Sequence, residues 1–282
     1  MNSQLATPPI TGTTPVYGIL GRPVSHSLSP VMHNAAFAAA AVVGVYVAFP
    51  VTDLSQAVQG LRGLGIRGVS VTIPFKESII PLLDEVADEA RRIGAVNTVI
   101  NRDGRLWGTN TDWQGARAAL EEQIPLKGQR LLVLGAGGAG RAIVYAMLRA
   151  GGQVWVSDGD DLRAQGLAQE FGVGAVPWRA RDSLRAEVLI NATPVGMAPE
   201  EDATPYPAAA LGQFQAVMDI VYTPLQTRLL REAAAQGCRT IDGLEMLIYQ
   251  GARQFELFTG QPAPVAVMRR AARAAVANKD EG

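Results

Sequence analysis

LLVLGAGGAG, residues 131–140, is the stretch that decides the fold of this chain. Its four apolar residues are typical of a buried parallel strand. They run into a G-x-G-x-x-G pattern with glycines at positions 135, 137 and 140. Because the chain has 30 glycines, the pattern alone is weak evidence. Its surroundings strengthen it, since residues 141–150 have helical apolar spacing and residues 154–156 form another apolar run.

The individual glycines fit the parts of a dinucleotide. Gly135 permits a tight turn, Gly137 lets a pyrophosphate approach the backbone, and Gly140 allows close packing of helix on strand. The start of the following helix offers unpaired N–H groups and a positive dipole end to phosphates. Asp158 lies 23 positions after Gly135, close to the roughly 20 expected for the acid that binds a ribose. The alternative is a strand–helix turn that binds no ligand.

Composition limits the class of protein. Apolar residues make up 48% of the 282 residues, which is enough for one large domain or two ordinary ones. A formal net charge of −1 without a basic run argues against a nucleic-acid partner. One cysteine, Cys238, allows no disulfide framework, and with only two histidines no metal site is predicted.

The sequence has no signal for a membrane or for export. No apolar stretch reaches the roughly 18 residues of a membrane helix, and the N-terminus lacks a basic and then apolar signal peptide. We therefore expect a cytoplasmic protein in which residues 1–14 form a disordered leader. The expected assembly is a monomer or a homodimer.

Alternating strands and amphipathic helices predict two α/β units. Residues 15–112 form the first unit, which has polar residues at the ends of its strands. Residues 113–242 form the second unit, which contains the glycine pattern. Ligands of open α/β sheets bind at the carboxyl ends of the strands. A cleft between the units would therefore hold a substrate against the cofactor.

Polar residues of the first unit are candidates for substrate chemistry. Ser27 and Ser29, two positions apart at a predicted helix start, could donate hydrogen bonds to a carboxylate. Alternatively, Ser29 only caps the helix and Ser27 lies in a turn. Lys76 follows an uncharged stretch, residues 69–75, and is either an acid/base group or a solvated lysine.

Two further residues have two interpretations each. Asp112 ends the run G-T-N-T-D and is either the carboxylate partner of a catalytic lysine or an acid at a helix N-terminus. Asn97 begins a predicted strand and either bonds a substrate hydroxyl or caps the preceding turn.

Together these motifs resemble those of the shikimate dehydrogenase family, including its quinate/shikimate dehydrogenase branch. The resemblance extends from about Tyr17 to about Gly260. The matching segments are residues 21–30 (GRPVSHSLSP) with His33 and Asn34, 71–76 (VTIPFK), 94–98 (GAVNT), 108–112 (GTNTD), 135–140, 191–197 (NATPVGM) and 219–225, and Gly243 with Met246, Leu247 and Gln250.

The resemblance implies a fold and a set of roles. It implies an N-terminal α/β substrate domain, a Rossmann-type dinucleotide-binding domain, and C-terminal helices, residues 243–282, that return to the N-terminal domain. Lys76 and Asp112 would form the acid/base pair. The implied substrate contacts are Ser27, Ser29 and Tyr222 to the carboxylate, Thr72, Asn97 and Gln250 to ring hydroxyls, and Ser70, where many members have Asn. The implied cofactor contacts are Gly135, Ala136, Gly137, Gly138, Ala139, Gly140, Asp158, Arg163, Thr193, Val221 and Gly243.

The implied reaction is a reversible hydride transfer between a nicotinamide and a ring alcohol. The substrate would be shikimate, which gives 3-dehydroshikimate, or also quinate, which gives 3-dehydroquinate. Such enzymes serve the chorismate pathway of aromatic amino acid biosynthesis or the catabolism of quinate. The sequence leaves two alternatives, a methylenetetrahydrofolate dehydrogenase-like enzyme and a catalytically silent NAD-binding sensor.

The second strand of the cofactor unit bears on the choice between NAD and NADP. Members that use NADP typically have an Asn-Arg-Thr-like run there, whose arginine holds the 2′-phosphate. This chain has Ser-Asp-Gly-Asp-Asp at residues 157–161 and no arginine before Arg163. Two like charges about 4 Å apart repel by roughly 4 kcal/mol at an effective dielectric of 20. We therefore predict NAD as the preferred cofactor, with NADP as the alternative.

Overall fold

The computed structural model describes residues 9–280, with side-chain surroundings through residue 277. The described chain falls into two compact units. One comprises the chain up to Thr111 together with the segment from Gln250 onward, and the other is Asp112–Tyr249. Each unit has helices and one sheet, so the predicted α/β class is observed in both.

The first unit is built on a six-stranded mixed sheet. Its strands are β1 (Val16–Gly21), β2 (Val45–Pro50), β3 (Gly68–Val71), β4 (Glu85–Val86), β5 (Thr98–Arg102) and β6 (Arg105–Thr109). Its helices are α1 (Ser29–Ala39), α2 (Leu54–Gly63), α3 (Asp88–Ile93) and α9 (Val265–Asp280). The strand order is β2-β1-β3-β5-β6-β4, with β1, β2 and β3 parallel and β5 antiparallel to both of its neighbours.

Side-chain alternation on β3 decides what each face of this sheet covers. Val69 and Val71 point into an apolar cluster that includes residues of α2, whereas Ser70 points to the opposite face. On that face α1 packs against α9. A polar residue at position 70 therefore lies in a buried layer, where its hydroxyl needs hydrogen-bond partners.

Several loops of the first unit meet at one edge of its sheet. The Thr72 amide, just beyond β3, donates to the Leu20 carbonyl at 2.9 Å. Asn97, just before β5, accepts from Val71 N at 2.7 Å and donates to Thr109 O at 3.1 Å. The ends of β1, β3 and β6 and the start of β5 therefore lie side by side, which gathers the predicted substrate residues of this unit.

The second unit contains a six-stranded parallel sheet. Its strands are β7 (Arg130–Leu134), β8 (Gln153–Ser157), β9 (Gly174–Ala175), β10 (Val188–Asn191), β11 (Ala216–Asp219) and β12 (Arg239–Ile241). Its helices are α4 (Asp112–Glu121), α5 (Gly138–Arg149), α6 (Asp161–Phe171) and α7 (Arg228–Ala235), and α8 (Gly243–Thr259) starts in it.

The order of this sheet is β12-β11-β10-β7-β8-β9. The chain therefore moves outward in one direction from β7 and in the other from β10. Ligands of open parallel sheets bind in the crevice beyond such a switch point. The two segments that follow β7 and β10 are the glycine-rich loop and the loop at residues 192–197.

β3 ends at Val71, because residues 72–75 close a turn with Phe75 N bonded to Thr72 O at 2.9 Å. One predicted helix start differs from the structure. α5 begins at Gly138 rather than at Arg141, so the last glycine of the pattern lies in its first turn.

The residues before β1 are described only in part. In the predicted leader, residues 1–8 lie outside the described residues. Residues 11–14 form a turn, with Thr14 N bonded to Thr11 O at 3.2 Å. Among the described residues, no helix is long and apolar enough to cross a membrane.

His33 on α1 is enclosed in an aromatic cluster of the first unit. Its ring has no exposed surface and stacks on Tyr46, with centroids 4.4 Å apart and planes at 6°. Neither ring nitrogen has a partner in hydrogen-bond geometry among the described residues. Burial lowers the pKa of His33 to about 3, and the neighbouring Gln254 carboxamide opposes this only in part. The histidine is therefore neutral in the folded protein.

This buried histidine gives a prediction for stability in acid. The unfolded chain binds a proton at His33 below about pH 6.5, and the folded protein does not do so until about pH 3. Stability is therefore lost as the pH falls through this window. Between pH 7 and pH 5 the wild type should lose about 2 kcal/mol more unfolding free energy than His33→Phe. Urea denaturation of both proteins at these pH values measures the difference, and parallel behaviour from pH 8 to pH 7 is the control.

Candidate active site

The predicted carboxylate contacts Ser27 and Ser29 lie where β1 leads into α1. Leu28 occupies the N-cap position of α1, and no side chain caps the helix. The alternative role of Ser29 as the helix cap is therefore not observed. The Ser29 amide donates instead to Ser27 Oγ at 3.2 Å. Ser29 is buried and Ser27 is half-buried, so the first turn holds both hydroxyls in one short segment.

Asn97 and Gln250 come together although 153 positions separate them. Asn97 Nδ2 donates to Gln250 Oε1 at 3.3 Å and to Thr111 Oγ1 at 3.0 Å. The Thr111 amide donates back to Asn97 Oδ1 at 2.7 Å. The three side chains are almost fully buried. Two of the residues predicted to hold ring hydroxyls therefore form one polar cluster at the sheet edge.

The Ser70 side chain is bonded on both sides within the first unit. Its Oγ accepts from the Tyr46 hydroxyl at 2.6 Å and donates to Gln254 Oε1 at 2.7 Å. Neither partner was predicted from the sequence. Tyr46 lies in an apolar strand that gives no polar signal, but Gln254 lies one helical turn after Gln250 on α8 and that spacing could have identified it.

Thr72 and Lys76 lie on the segment that follows β3, and both are half-buried. Lys76 is anchored by its backbone, since its carbonyl accepts from Val96 N at 2.7 Å, directly beside Asn97. Asp112 is the buried first residue of α4 and belongs to the second unit. Pairing of Lys76 with Asp112 stays a prediction.

The glycine-rich loop is shaped by contacts that a side chain would prevent. Gly135 has a φ of 106°, which favours glycine, and its amide donates to Ser157 O at 2.7 Å. A Cβ at Gly140 would lie only 2.0 Å from the Gly135 carbonyl oxygen. Gly135 also abuts the segment after β10, where a Cβ would lie 2.9 Å from the Ala192 carbonyl. The loops that follow β7 and β10 are therefore in direct contact.

Asp158 and Arg163, two predicted cofactor contacts, both lie at this loop. Asp158 Oδ2 accepts from the Ala136 amide at 2.6 Å, and its Oδ1 accepts from Asp160 N at 2.9 Å. Among the described residues other than its two chain neighbours, only Arg163, through Nη2 at 3.8 Å, would come within 4 Å of a Cβ added at Gly137. The backbone at Gly137 is thus open to a diphosphate, and the N-terminus of α5, with Gly138 and Ala139, follows it. These residues fit a dinucleotide.

A buried carboxylate joins the loops that follow β10 and β11. Asp219 Oδ1 accepts from Asn191 Nδ2 at 2.9 Å and from the Val221 amide at 3.0 Å, and Oδ2 accepts from Thr227 Oγ1 at 2.7 Å. Asn191 Oδ1 in turn accepts from the Thr193 hydroxyl at 2.6 Å. Thr193 and Val221, two predicted cofactor contacts, are therefore held by one network that the sequence analysis missed.

Two more predicted contacts follow β11 and β12. A Cβ at Gly243 would lie 2.3 Å from the Ile220 carbonyl oxygen, so α8 can begin there only with glycine. The Tyr222 side chain is half-buried, and burial raises the pKa of its phenol to about 12. Tyr222 therefore stays a hydrogen-bond donor at neutral pH.

Three family models match parts of the chain. Residues 19–99 match the shikimate dehydrogenase substrate-binding domain, and residues 243–273 match the shikimate 5′-dehydrogenase C-terminal domain. Residues 130–204 match a model described as coenzyme F420-dependent NADP oxidoreductase. A shikimate dehydrogenase (NADP(+)) of Pyrococcus abyssi is 49% identical over 257 residues, which cover 90% of this chain and 96% of that protein. The chain belongs to the shikimate dehydrogenase family.

Solved structures agree with the family assignment. The shikimate 5-dehydrogenase of Thermus thermophilus in complex with NADP(H) and shikimate is 46% identical, with a TM-score of 0.87 over 93% of this chain and all of that one. The quinate dehydrogenase of Corynebacterium glutamicum in complex with NAD is 34% identical, with a TM-score of 0.85 over 93% of this chain and 99% of that one.

These matches confirm the predicted family, the two-domain Rossmann-containing fold and a nicotinamide dinucleotide as the class of cofactor. The chain is an oxidoreductase. The folate-enzyme and silent-sensor alternatives are not favoured. The predicted preference for NAD is not supported by the relatives' names, since the Pyrococcus abyssi protein is named for NADP(+).

In this member of the shikimate dehydrogenase family, the buried Asp219 should make stability depend on pH in the direction opposite to His33. Burial raises the pKa of Asp219 to about 6, although three hydrogen bonds favour its carboxylate. Because the unfolded chain gives up this proton near pH 3.8, stability is lost as the pH rises towards 6. From pH 5 to pH 7 the wild type should lose about 1 kcal/mol relative to Asp219→Asn. Urea denaturation measures the unfolding free energies of both proteins. If their difference is the same at pH 5 and pH 7, the three donors keep the Asp219 carboxylate charged at both.

Proposed function

We propose that the protein is a reversible dehydrogenase of shikimate that also accepts quinate, with NAD as its preferred cofactor. The observation that carries the proposal is the buried contact of Asn97 with Gln250, at 3.3 Å between Nδ2 and Oε1. Both residues lie in motifs shared with the family, and both were predicted to hold ring hydroxyls. Relatives named shikimate dehydrogenase cover most of the chain and support the same substrate.

The carboxylate of the substrate would be held by hydroxyl donors. Ser27 and Ser29 supply two hydroxyls next to the first turn of α1, whose helix dipole favours an anion. Tyr222 supplies a phenol that stays protonated at neutral pH. Together with Thr72, Asn97 and Gln250, which would bind the ring, these groups would suit a substrate that has a carboxylate and several hydroxyls.

Lys76 is the proposed acid/base group. Oxidation of the ring alcohol must release the hydroxyl proton, and Lys76 would accept it while Asp112 orients and balances the ammonium. The backbone anchor at Val96 holds the lysine beside Asn97. In reduction of the ketone, Lys76 would return the proton. The bound nicotinamide supplies the hydride acceptor or donor at its C4.

The proposed preference for NAD rests on Asp158. Its carboxylate is bonded to the glycine-rich loop through Ala136 N at 2.6 Å. We expect the adenosine ribose to bind beside this carboxylate, which would accept from ribose hydroxyls and repel a 2′-phosphate. Arg163 lies near the same loop and opposes this preference, because its guanidinium could bind a phosphate. Solved structures of relatives contain either cofactor, NADP(H) in the Thermus thermophilus enzyme and NAD in the Corynebacterium glutamicum quinate dehydrogenase.

Initial rates with each combination of shikimate or quinate and NAD⁺ or NADP⁺ test the proposal. We expect the highest kcat/KM with shikimate or quinate and NAD⁺. Activity on shikimate with NADP⁺ alone would overturn the cofactor preference and the quinate activity but leave the dehydrogenase assignment. Absence of activity with all four pairs would overturn the assignment itself.

A further inference from the structure

A buried series of side-chain hydrogen bonds crosses the first unit from β2 to β5. The Tyr46 hydroxyl donates to Ser70 Oγ at 2.6 Å, and Ser70 donates to Gln254 Oε1 at 2.7 Å. Gln254 Nε2 then donates to Thr98 Oγ1 at 2.9 Å. Each member therefore donates to the next, so all the protons of the series point in one direction.

The series ends on Asn97. The Thr98 hydroxyl donates to Asn97 Oδ1 at 2.8 Å, and Gln254 Nε2 also donates to the Asn97 carbonyl at 3.2 Å. A backbone donor, the Thr111 amide, reaches the same Oδ1 at 2.7 Å. A reversed Asn97 carboxamide would place its NH₂ group against two donors. Asn97 therefore keeps its oxygen towards Thr98 and its nitrogen towards Gln250.

The direction of the series is fixed by the Asn97 carbonyl. Because Gln254 Nε2 donates to it at 3.2 Å, Gln254 Oε1 is left to accept from Ser70, whose oxygen then accepts from Tyr46. Tyr46, Ser70, Gln254 and Thr98 are all at most 4% exposed. Water does not compete with hydrogen bonds at such depth, and each partner depends on the others for its orientation.

From this geometry we infer that Gln254 and Thr98 are positioning residues for the substrate, which they orient through Asn97. The inference rests on the proposed contact of Asn97 with a ring hydroxyl. Gln254 holds the Asn97 backbone and the Thr98 hydroxyl, and Thr98 fixes the Asn97 oxygen. Without this support the Asn97 oxygen keeps the Thr111 amide as a donor but loses the Thr98 hydroxyl, so the carboxamide is held less firmly for the substrate hydroxyl.

The matched variants Thr98→Val and Thr98→Ser test the inference. Valine has the same shape and suits a strand but removes the hydroxyl, whereas serine keeps it. We expect Thr98→Val to raise KM for shikimate about tenfold, the effect of losing one well-oriented hydrogen bond. The kcat should change less than about threefold, because binding rather than the chemical step is affected. KM for the nucleotide should not change, and Thr98→Ser should resemble the wild type.

Asn101→Asp is the control for a general loss of stability. Asn101 is a buried amide on the same strand, β5, and its Nδ2 donates to Leu61 O at 2.9 Å. Its replacement should lower the melting temperature and leave KM for shikimate unchanged. Equal KM values for Thr98→Val and wild type, or equal increases in Thr98→Val and Asn101→Asp, would overturn the inference.

A measurement that needs no activity separates this inference from the proposed function. In NMR spectra, solvent exchange of the Asn97 side-chain amide should be faster in Thr98→Val than in Thr98→Ser. If the wild type oxidises neither shikimate nor quinate, the proposed function is wrong. Solvent exchange of the Asn97 side-chain amide still tests whether Thr98 orients Asn97. If Thr98→Val does not fold, Gln254→Met breaks the same link from α8 and is measured in the same way. Unchanged amide exchange in the folded variant contradicts the inference.

Discussion

Lys76→Ala is expected to lower kcat for shikimate oxidation by about 10²- to 10⁴-fold, the usual contribution of a positioned acid/base group. KM for shikimate should change far less, since the ring hydroxyls keep Thr72, Asn97 and Gln250 as proposed partners. The kcat falls because the hydroxyl proton of the substrate has no acceptor when the hydride leaves. Initial rates at saturating shikimate and NAD⁺ measure the effect.

Lys127→Ala is the matched control for this variant. Lys127 is an exposed lysine of the second unit, and its removal should leave kcat at the wild-type value. Asp112→Asn should also lower kcat, by a smaller factor, because the lysine remains but loses its orienting charge. If Lys76→Ala keeps kcat within a few-fold of the wild type, Lys76 is not the acid/base group.

The second large effect concerns the cofactor. Asp158→Asn should raise the ratio of kcat/KM for NADP⁺ to that for NAD⁺ at least about tenfold. Like charges about 4 Å apart repel by roughly 4 kcal/mol at an effective dielectric of 20, and half of that already exceeds a factor of ten. The asparagine oxygen can still accept from Ala136 N, so the contact with the glycine-rich loop is kept, although the hydrogen bond from Asp160 N is lost. Steady-state kinetics with both nucleotides measure the ratio.

Asp161→Asn removes the same charge a few residues away. Asp161 begins α6, and its Oδ1 accepts from Trp178 N, a contact that asparagine preserves. This variant should change the cofactor ratio much less than Asp158→Asn. Adding Gly159→Arg to Asp158→Asn should favour NADP⁺ further, because the arginine can bind the 2′-phosphate. A ratio unchanged by Asp158→Asn would show that Arg163 or another group controls cofactor choice.

The glycine-rich stretch predicted the second unit well because its constraints are local. The tight turn at Gly135 and the close packing at Gly140 each involve neighbouring backbone atoms, and the structure contains both. Asp158 was placed correctly at the loop for the same reason, since one strand and one turn set its position. The start of α5 was misplaced because glycine is a poor helix former and hid the first turn.

The polar networks could not be predicted in the same way because their members are far apart in the chain. Ser70 and Gln254 are separated by 184 positions, and only the packed sheet brings them together. Asp219 begins one of the matching family segments, residues 219–225, but its three hydrogen bonds, which hold the segments after β10 and β11, were not predicted. Ser29 suited a helix cap by residue type, but Leu28 occupies that position. Residue type identified candidate groups, and tertiary contacts decided their hydrogen-bond partners.

The discontinuity of the first unit affects the order in which the protein can be completed during synthesis. Asp112–Tyr249 is a continuous segment, whereas the first unit needs both the chain up to Thr111 and the residues from Gln250 onward. On the ribosome the N-terminal strands therefore emerge first, but Asn97 and Ser70 cannot form their hydrogen bonds to Gln250 and Gln254 until those residues are synthesised. Domains usually mature in the order of their synthesis. Here the segment made second is complete first, and a nascent chain that stops at Tyr249 has the nucleotide-binding elements without the finished substrate-binding unit.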